Sequence, residues 1–133
     1  MLRFFILFLG LAITLSACQQ KTVDTTAGIT ISLKDLIGKT IEYQYGESIY
    51  HVTLDTDTTL HWEAMAGDEK GALENETYVL ESIDHGKLFI TWGEANGIGV
   101  AQVLDFEKGI VYNHLLRGRH ASTGRGVIKI VKQ

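Results

Sequence analysis

Lys87 to Phe106 reads KLFITWGEANGIGVAQVLDF, and its alternation decides the fold. Leu88, Ile90, Trp92 and Glu94 fall on one parity. After Ala95-Asn96-Gly97, Ile98, Val100, Gln102, Leu104 and Phe106 again share one. An apolar residue at every second position is the signature of a strand with one buried face. A separator of three turn-forming residues joins such strands as antiparallel neighbours.

Working outward, the same period covers most of the chain. Eight strands are predicted, at about 39–46, 48–55, 58–65, 75–83, 87–94, 98–106, 109–118 and 125–132. Gly46-Glu47, Asp55-Thr56-Asp57, Asp84-His85-Gly86 and Lys108-Gly109 are short separators, so the strands should form a meander. Two longer gaps, Ala66 to Glu74 and Arg119 to Gly124, are expected as loops, with Gly124-Arg125-Gly126 a turn. Ser32 to Ile37 can form one helical turn, capped by Ser32 and stopped by Gly38. With no helix to cover a face, eight strands shield their apolar side best by closing into a barrel, which also removes the sheet edges. The expectation is an all-β, eight-stranded antiparallel barrel, with a two-sheet sandwich as the competing architecture. No proline interrupts the strands.

The first residues belong to something else. Arg3 precedes an apolar run, Phe4 to Leu15, of about a dozen residues. That is short for a bilayer span and right for the core of a signal peptide. Leu15-Ser16-Ala17-Cys18 follows: an aliphatic residue, two small ones and a cysteine, the pattern of a bacterial lipoprotein cleavage site. The expectation is a signal peptide at 1–17, lipid on Cys18, a polar flexible tether at 18–30 and a barrel domain at 31–133, held at a membrane in the cell envelope. An outer membrane is expected if the cell has one, because Gln19 rather than Asp follows the cysteine. Removing the first seventeen residues leaves roughly 115, enough for one modest core. Cys18 is the chain's one cysteine, so no internal disulfide can form. Formal charge is -4, and losing Arg3 takes it to -5. Such acidity excludes a nucleic-acid partner, which needs clustered Lys and Arg.

Parity then sorts candidate functional residues. Ile41, Tyr43 and Tyr45 share a face; so do Leu60, Trp62 and Ala64, and so do Ile110, Tyr112, His114 and Leu116. Pointing the apolar sets inward carries polar groups with them. Tyr43, Tyr45, Trp62, Trp92, Glu94, Gln102, Tyr112 and His114 are the expected cavity lining. Buried polar groups cost free energy unless satisfied, so their presence inside suggests a wet or ligand-holding space. His51 and His61 fall on the outer parity, and the five histidines show no metal-ligand spacing. Ser48 and Ser122 lack the setting of a hydrolase nucleophile. No metal or other cofactor is expected.

IEYQYG at Ile41 to Gly46, Tyr50, TLHW at Thr59 to Trp62, LFITWGE at Leu88 to Glu94 and VAQVLDF at Val100 to Phe106 together resemble the calycin-type, lipocalin-like barrels. Within them the chain is similar to the MoaF-like domains, named after molybdenum cofactor biosynthesis protein F, and to the bacterial phenolic acid decarboxylases. The resemblance runs from about Gly38 to Lys132 and implies a central cavity. From the decarboxylases it implies a tyrosine pair, here Tyr43 and Tyr45, holding a substrate carboxylate, and a glutamate, here Glu94, moving the proton. Their arginine belongs in the stretch that here reads AGDEKGALENET, Ala66 to Thr77, where Lys70 is the one cation. Three functions follow as expectations: a barrel binding a small apolar or aromatic molecule; a lyase-type enzyme with Glu94, Tyr43 and Tyr45 catalytic; or a filled barrel serving envelope interactions.

Overall fold

The computed structural model describes residues 30–132. A short helix, α1 (Leu33–Leu36), precedes eight strands: β1 (Thr40–Tyr45), β2 (Ser48–Leu54), β3 (Thr59–Ala66), β4 (Leu73–Asp84), β5 (Lys87–Gly93), β6 (Ile98–Asp105), β7 (Ile110–Arg117) and β8 (His120–Lys132). Each strand pairs antiparallel with the next, and β1 pairs with β8, with Tyr43 opposite Ile128 and Ile41 opposite Ile130. The sheet is therefore a closed barrel, and the sandwich alternative does not occur.

Its two ends differ. At one end α1 enters as a plug. Ser32 fixes its start: the backbone N–H and hydroxyl of Ser32 both donate to the Asp35 carboxylate, at 2.8 and 2.6 Å. The Gly38 N–H donates to the Leu54 carbonyl at 2.7 Å, which seats the helix against the end of β2. Leu36 then caps a layer made by Ile41, Leu54, Leu60, Leu88, Leu104 and Val111, all with no exposure. Each such side chain contributes roughly 1.5–3 kcal/mol on burial. This layer holds the fold and leaves the far end free. The far end is ringed by the turns at 46–47, 67–72, 94–97 and 118–119.

Two expectations about connections are corrected. Residues 120–124 are not a loop, and Gly124-Arg125-Gly126 is not a turn; all lie in β8, and the turn is Gly118-Arg119. Gly126 serves close approach instead. A Cβ there would stand 2.6 Å from the Gln44 carbonyl oxygen and 2.8 Å from the Tyr45 ring. The gap after β3 is also shorter than expected, because β4 begins at Leu73.

Residues 1–29, which include the expected signal peptide, Cys18 and most of the tether, lie outside the described residues. No helix among the described residues is long and apolar enough to cross a membrane.

Candidate functional site

A cavity of about 270 Å³ opens at the end opposite α1. Its floor and walls are aromatic. Tyr43 lies deepest and is 2% exposed; Trp62 and Trp92 are buried and Tyr45 and Tyr50 half-buried. Consecutive rings meet edge to face: Tyr43 with Tyr45 at 6.5 Å between centroids, Tyr45 with Tyr50 at 6.3 Å, Tyr50 with Trp62 at 6.1 Å. Aromatic pairs favour this geometry because the positive edge of one ring meets the negative face of the next.

The hydrogen bonding of this wall is incomplete. The Tyr43 hydroxyl, the indole N–H groups of Trp62 and Trp92, and the Gln102 carbonyl oxygen are buried without a partner among the described residues. Gln102 spends its amide nitrogen on Asn113 Oδ1 at 3.0 Å and Tyr45 Oη at 3.4 Å, leaving its oxygen free. Tyr78 shows the contrast. It is also buried, but its hydroxyl donates to the Thr56 carbonyl at 2.8 Å. Buried polar groups in folded proteins are nearly always paired, so four orphans around one cavity mark a place where something else supplies partners.

Carboxylates gather at the mouth. Glu94 follows β5, and Asn96 Nδ2 donates to it at 3.1 Å. Desolvation pushes the Glu94 carboxyl up, the Asn96 bond opposes this, and the charges of Glu74 and Glu69 add to the rise. The Trp92 N–H leans weakly the same way as Asn96, though outside hydrogen-bond geometry. Glu69 reaches the rim on the 67–72 turn, where it accepts the Tyr50 hydroxyl at 2.6 Å. Gly67 makes that turn possible: its φ is 94°, and a side chain on it would collide with Ser48. Tyr50 is pushed up to about 12 by desolvation first, then by Glu69. Glu74 and Glu76 lie opposite Trp62 and Leu60 on the inner face of β4. Burial, then the hydrogen bond and charge of Glu74, then the charge of Glu94, push the Glu76 carboxyl up to about 7.

Of the eight residues expected to line a cavity, six do: Tyr43, Tyr45, Trp62, Trp92, Glu94 and Gln102. Tyr112 and His114 do not. Both are exposed on the outer face, and Arg125 lies 5.7 Å above the Tyr112 ring. The reason is register. Asp105 pairs with Ile110 across a four-residue turn, so even positions of β6 face odd positions of β7. Opposed residues share a face, and Val111, Asn113 and Leu115 therefore follow Leu104, Gln102 and Val100 inward. Sequence reasoning missed Asn113, Leu115, Tyr50 and Glu69 as lining residues. The two-residue turn Gly46-Glu47 carries the signal for Tyr50, since it places Tyr50 opposite Tyr43. His51 and His61 do lie on the outer face, against Glu42 at 2.9 Å and Asp55 at 2.8 Å.

A closed, up-and-down, eight-strand barrel plugged at one end and hollow at the other defines the lipocalin-like architecture. Within it the chain belongs to the MoaF-like family, whose model matches residues 37–128. A crystal structure of a candidate beta-lactamase from Burkholderia vietnamiensis has a similar fold, with a TM-score of 0.67 and 21% identity, covering 72% of this chain and 95% of that one. No curated protein matches the chain.

Proposed function

We propose that the chain is a lipid-anchored envelope protein whose barrel binds a small molecule with an aromatic or apolar body. The observation that carries the binding reading is the set of four orphaned polar atoms, on Tyr43, Trp62, Trp92 and Gln102, around one aromatic cavity. Size narrows the class. An apolar cavity of roughly 150 Å³ holds benzene, so about 270 Å³ suits one substituted ring rather than a sterol or a long acyl chain. Decarboxylation of a phenolic acid has less support: among the described residues no Lys, Arg or His lines the cavity to hold a carboxylate.

The test is quenching of tryptophan fluorescence by a panel of single-ring compounds, with saturation expected in the micromolar range for at least one. A panel giving no saturable change up to millimolar concentration contradicts the binding reading.

The anchor rests on Leu15-Ser16-Ala17-Cys18. One acyl chain binds a membrane only marginally, whereas two or three on one cysteine hold stably. The mature chain is expected to begin at Cys18 and to carry an acyl-glyceryl mass on that residue, and Cys18→Ser to lose that mass and keep residues 1–17 uncut. A mature chain whose mass shows an unmodified Cys18 contradicts the anchor.

A further inference from the structure

We infer that the ligand is a small organic cation, an aromatic or apolar body carrying an ammonium group, held in the aromatic box with its charge toward Glu94 and Glu69. This rests on the binding reading above and adds the sign of the charge.

Three observations converge. First, the lining is electrically one-sided. Among the described residues that line it, Glu69 and Glu94 are the two carboxylates and none is basic. Glu74 and Glu76 lie just behind on the inner face of β4, so the field at the mouth is negative and a carboxylate entering it meets repulsion. Second, the box is built of rings that touch in series from Tyr43 to Trp62. Ring faces attract ammonium groups, most strongly where water is excluded. Third, the free oxygens deep in the cavity, the Tyr43 hydroxyl and the Gln102 carbonyl, can accept from a ligand N–H or O–H. Tyr43 and Gln102 are both more than nine-tenths buried. A metal ion fits less well, because among the described residues no three His, Cys, Asp or Glu side chains are placed to hold one.

The experiment uses three compounds of similar shape that differ in charge: 2-phenylethylammonium, 2-phenylethanol and 3-phenylpropionate. Each is titrated into the full chain at pH 8 while tryptophan fluorescence is followed. The cation is expected to bind at least tenfold tighter than the alcohol, and the carboxylate weakest. The cation-to-alcohol ratio should collapse toward one in Glu94→Gln combined with Glu69→Gln, and should survive in Glu63→Gln on the outer face. Raising salt to 1 M should narrow the ratio without abolishing alcohol binding. Equal affinity for all three, or a preference for the carboxylate, overturns the charge assignment and leaves the binding reading standing. A ratio untouched by the double substitution, with the variant's melting curve intact, also overturns it. No response to any of the three sinks the binding reading and this inference together.

Discussion

Gly126 lies directly beneath Tyr45: a Cβ built on the glycine would sit 2.8 Å from ring atom Cδ1 and 2.9 Å from Cε1. The same Cβ would be 2.6 Å from the backbone oxygen of Gln44, which cannot rotate away. The missing side chain is what lets the Tyr45 ring lie over β8 and form one wall of the cavity. Replacing glycine by alanine in an extended segment ordinarily gains about 0.4–1 kcal/mol through the unfolded chain. Here overpacking of about 1–3 kcal/mol should outweigh it. Gly126→Ala is expected to lower the melting temperature by several degrees and weaken ligand quenching of tryptophan; a melting temperature at or above the parent's would contradict the contact.

The plug at the opposite end should matter for stability alone. Leu36 is fully buried over the aliphatic layer. Leu36→Ala removes packing worth about 2–5 kcal/mol. Urea denaturation should show that loss, while affinity for a cavity ligand at 20 °C stays within a few fold. A loss under 1 kcal/mol would mean α1 does not seal the barrel.

Tyr43 carries a hydroxyl that the fold does not satisfy. Removing an unpaired buried polar group relieves its desolvation cost, so Tyr43→Phe should leave stability unchanged or raise it by about 1 kcal/mol. The same change should weaken any ligand that pairs with the hydroxyl. A destabilisation above 1 kcal/mol in the denaturant midpoint would show that the hydroxyl has a structural partner after all.

Glu76 predicts a pH dependence. Its carboxyl is pushed up to about 7 from an ordinary 4.5, mainly by burial and by Glu74. The folded chain therefore holds this proton more tightly than the unfolded chain does. That contribution is complete below pH 4.5 and is lost as pH rises through 7. Because the side chain is only partly buried, the effect is discounted to on the order of 1 kcal/mol or less. Glu76→Gln should melt a few degrees above the parent at pH 8 and level with it near pH 4.5. Identical melting profiles for parent and variant across that range would remove the Glu74–Glu76 interaction from the account.

How much of this was legible depended on how one-sided each strand is. In β3 and β5 one parity carries most of the large apolar side chains, and in β6 the larger aliphatics Ile98, Val100 and Leu104 share a parity against the smaller Gly99, Ala101 and Val103, so Trp62, Trp92 and Gln102 could be placed inside from sequence. β7 is different: Ile110, Tyr112 and Leu116 compete with Val111 and Leu115, and apolar count chose the wrong face. Turn length decides that case, because an even number of turn residues inverts parity between the two strands, as it does again for Tyr43 and Tyr50. β4 is legible over 75–83 but not at its start, since its inward positions near the open end are Glu74 and Glu76, which alternation assigns to solvent. Their inward placement is enforced by pairing with β3 and matters for the field at the mouth rather than for the core. Glu69 could not be placed at all, because its position follows from the backbone of the 67–72 turn.

The most direct measurement is a nuclear magnetic resonance titration of the indole N–H groups. With two tryptophans in the chain, the indole region holds two resonances, and both residues line the same cavity with their N–H groups unpaired among the described residues. A single-ring ligand is expected to shift both resonances together, saturably, at one stoichiometric equivalent. Shifts confined to outer-face amides, with the two indole signals unmoved, would contradict a binding site inside the barrel.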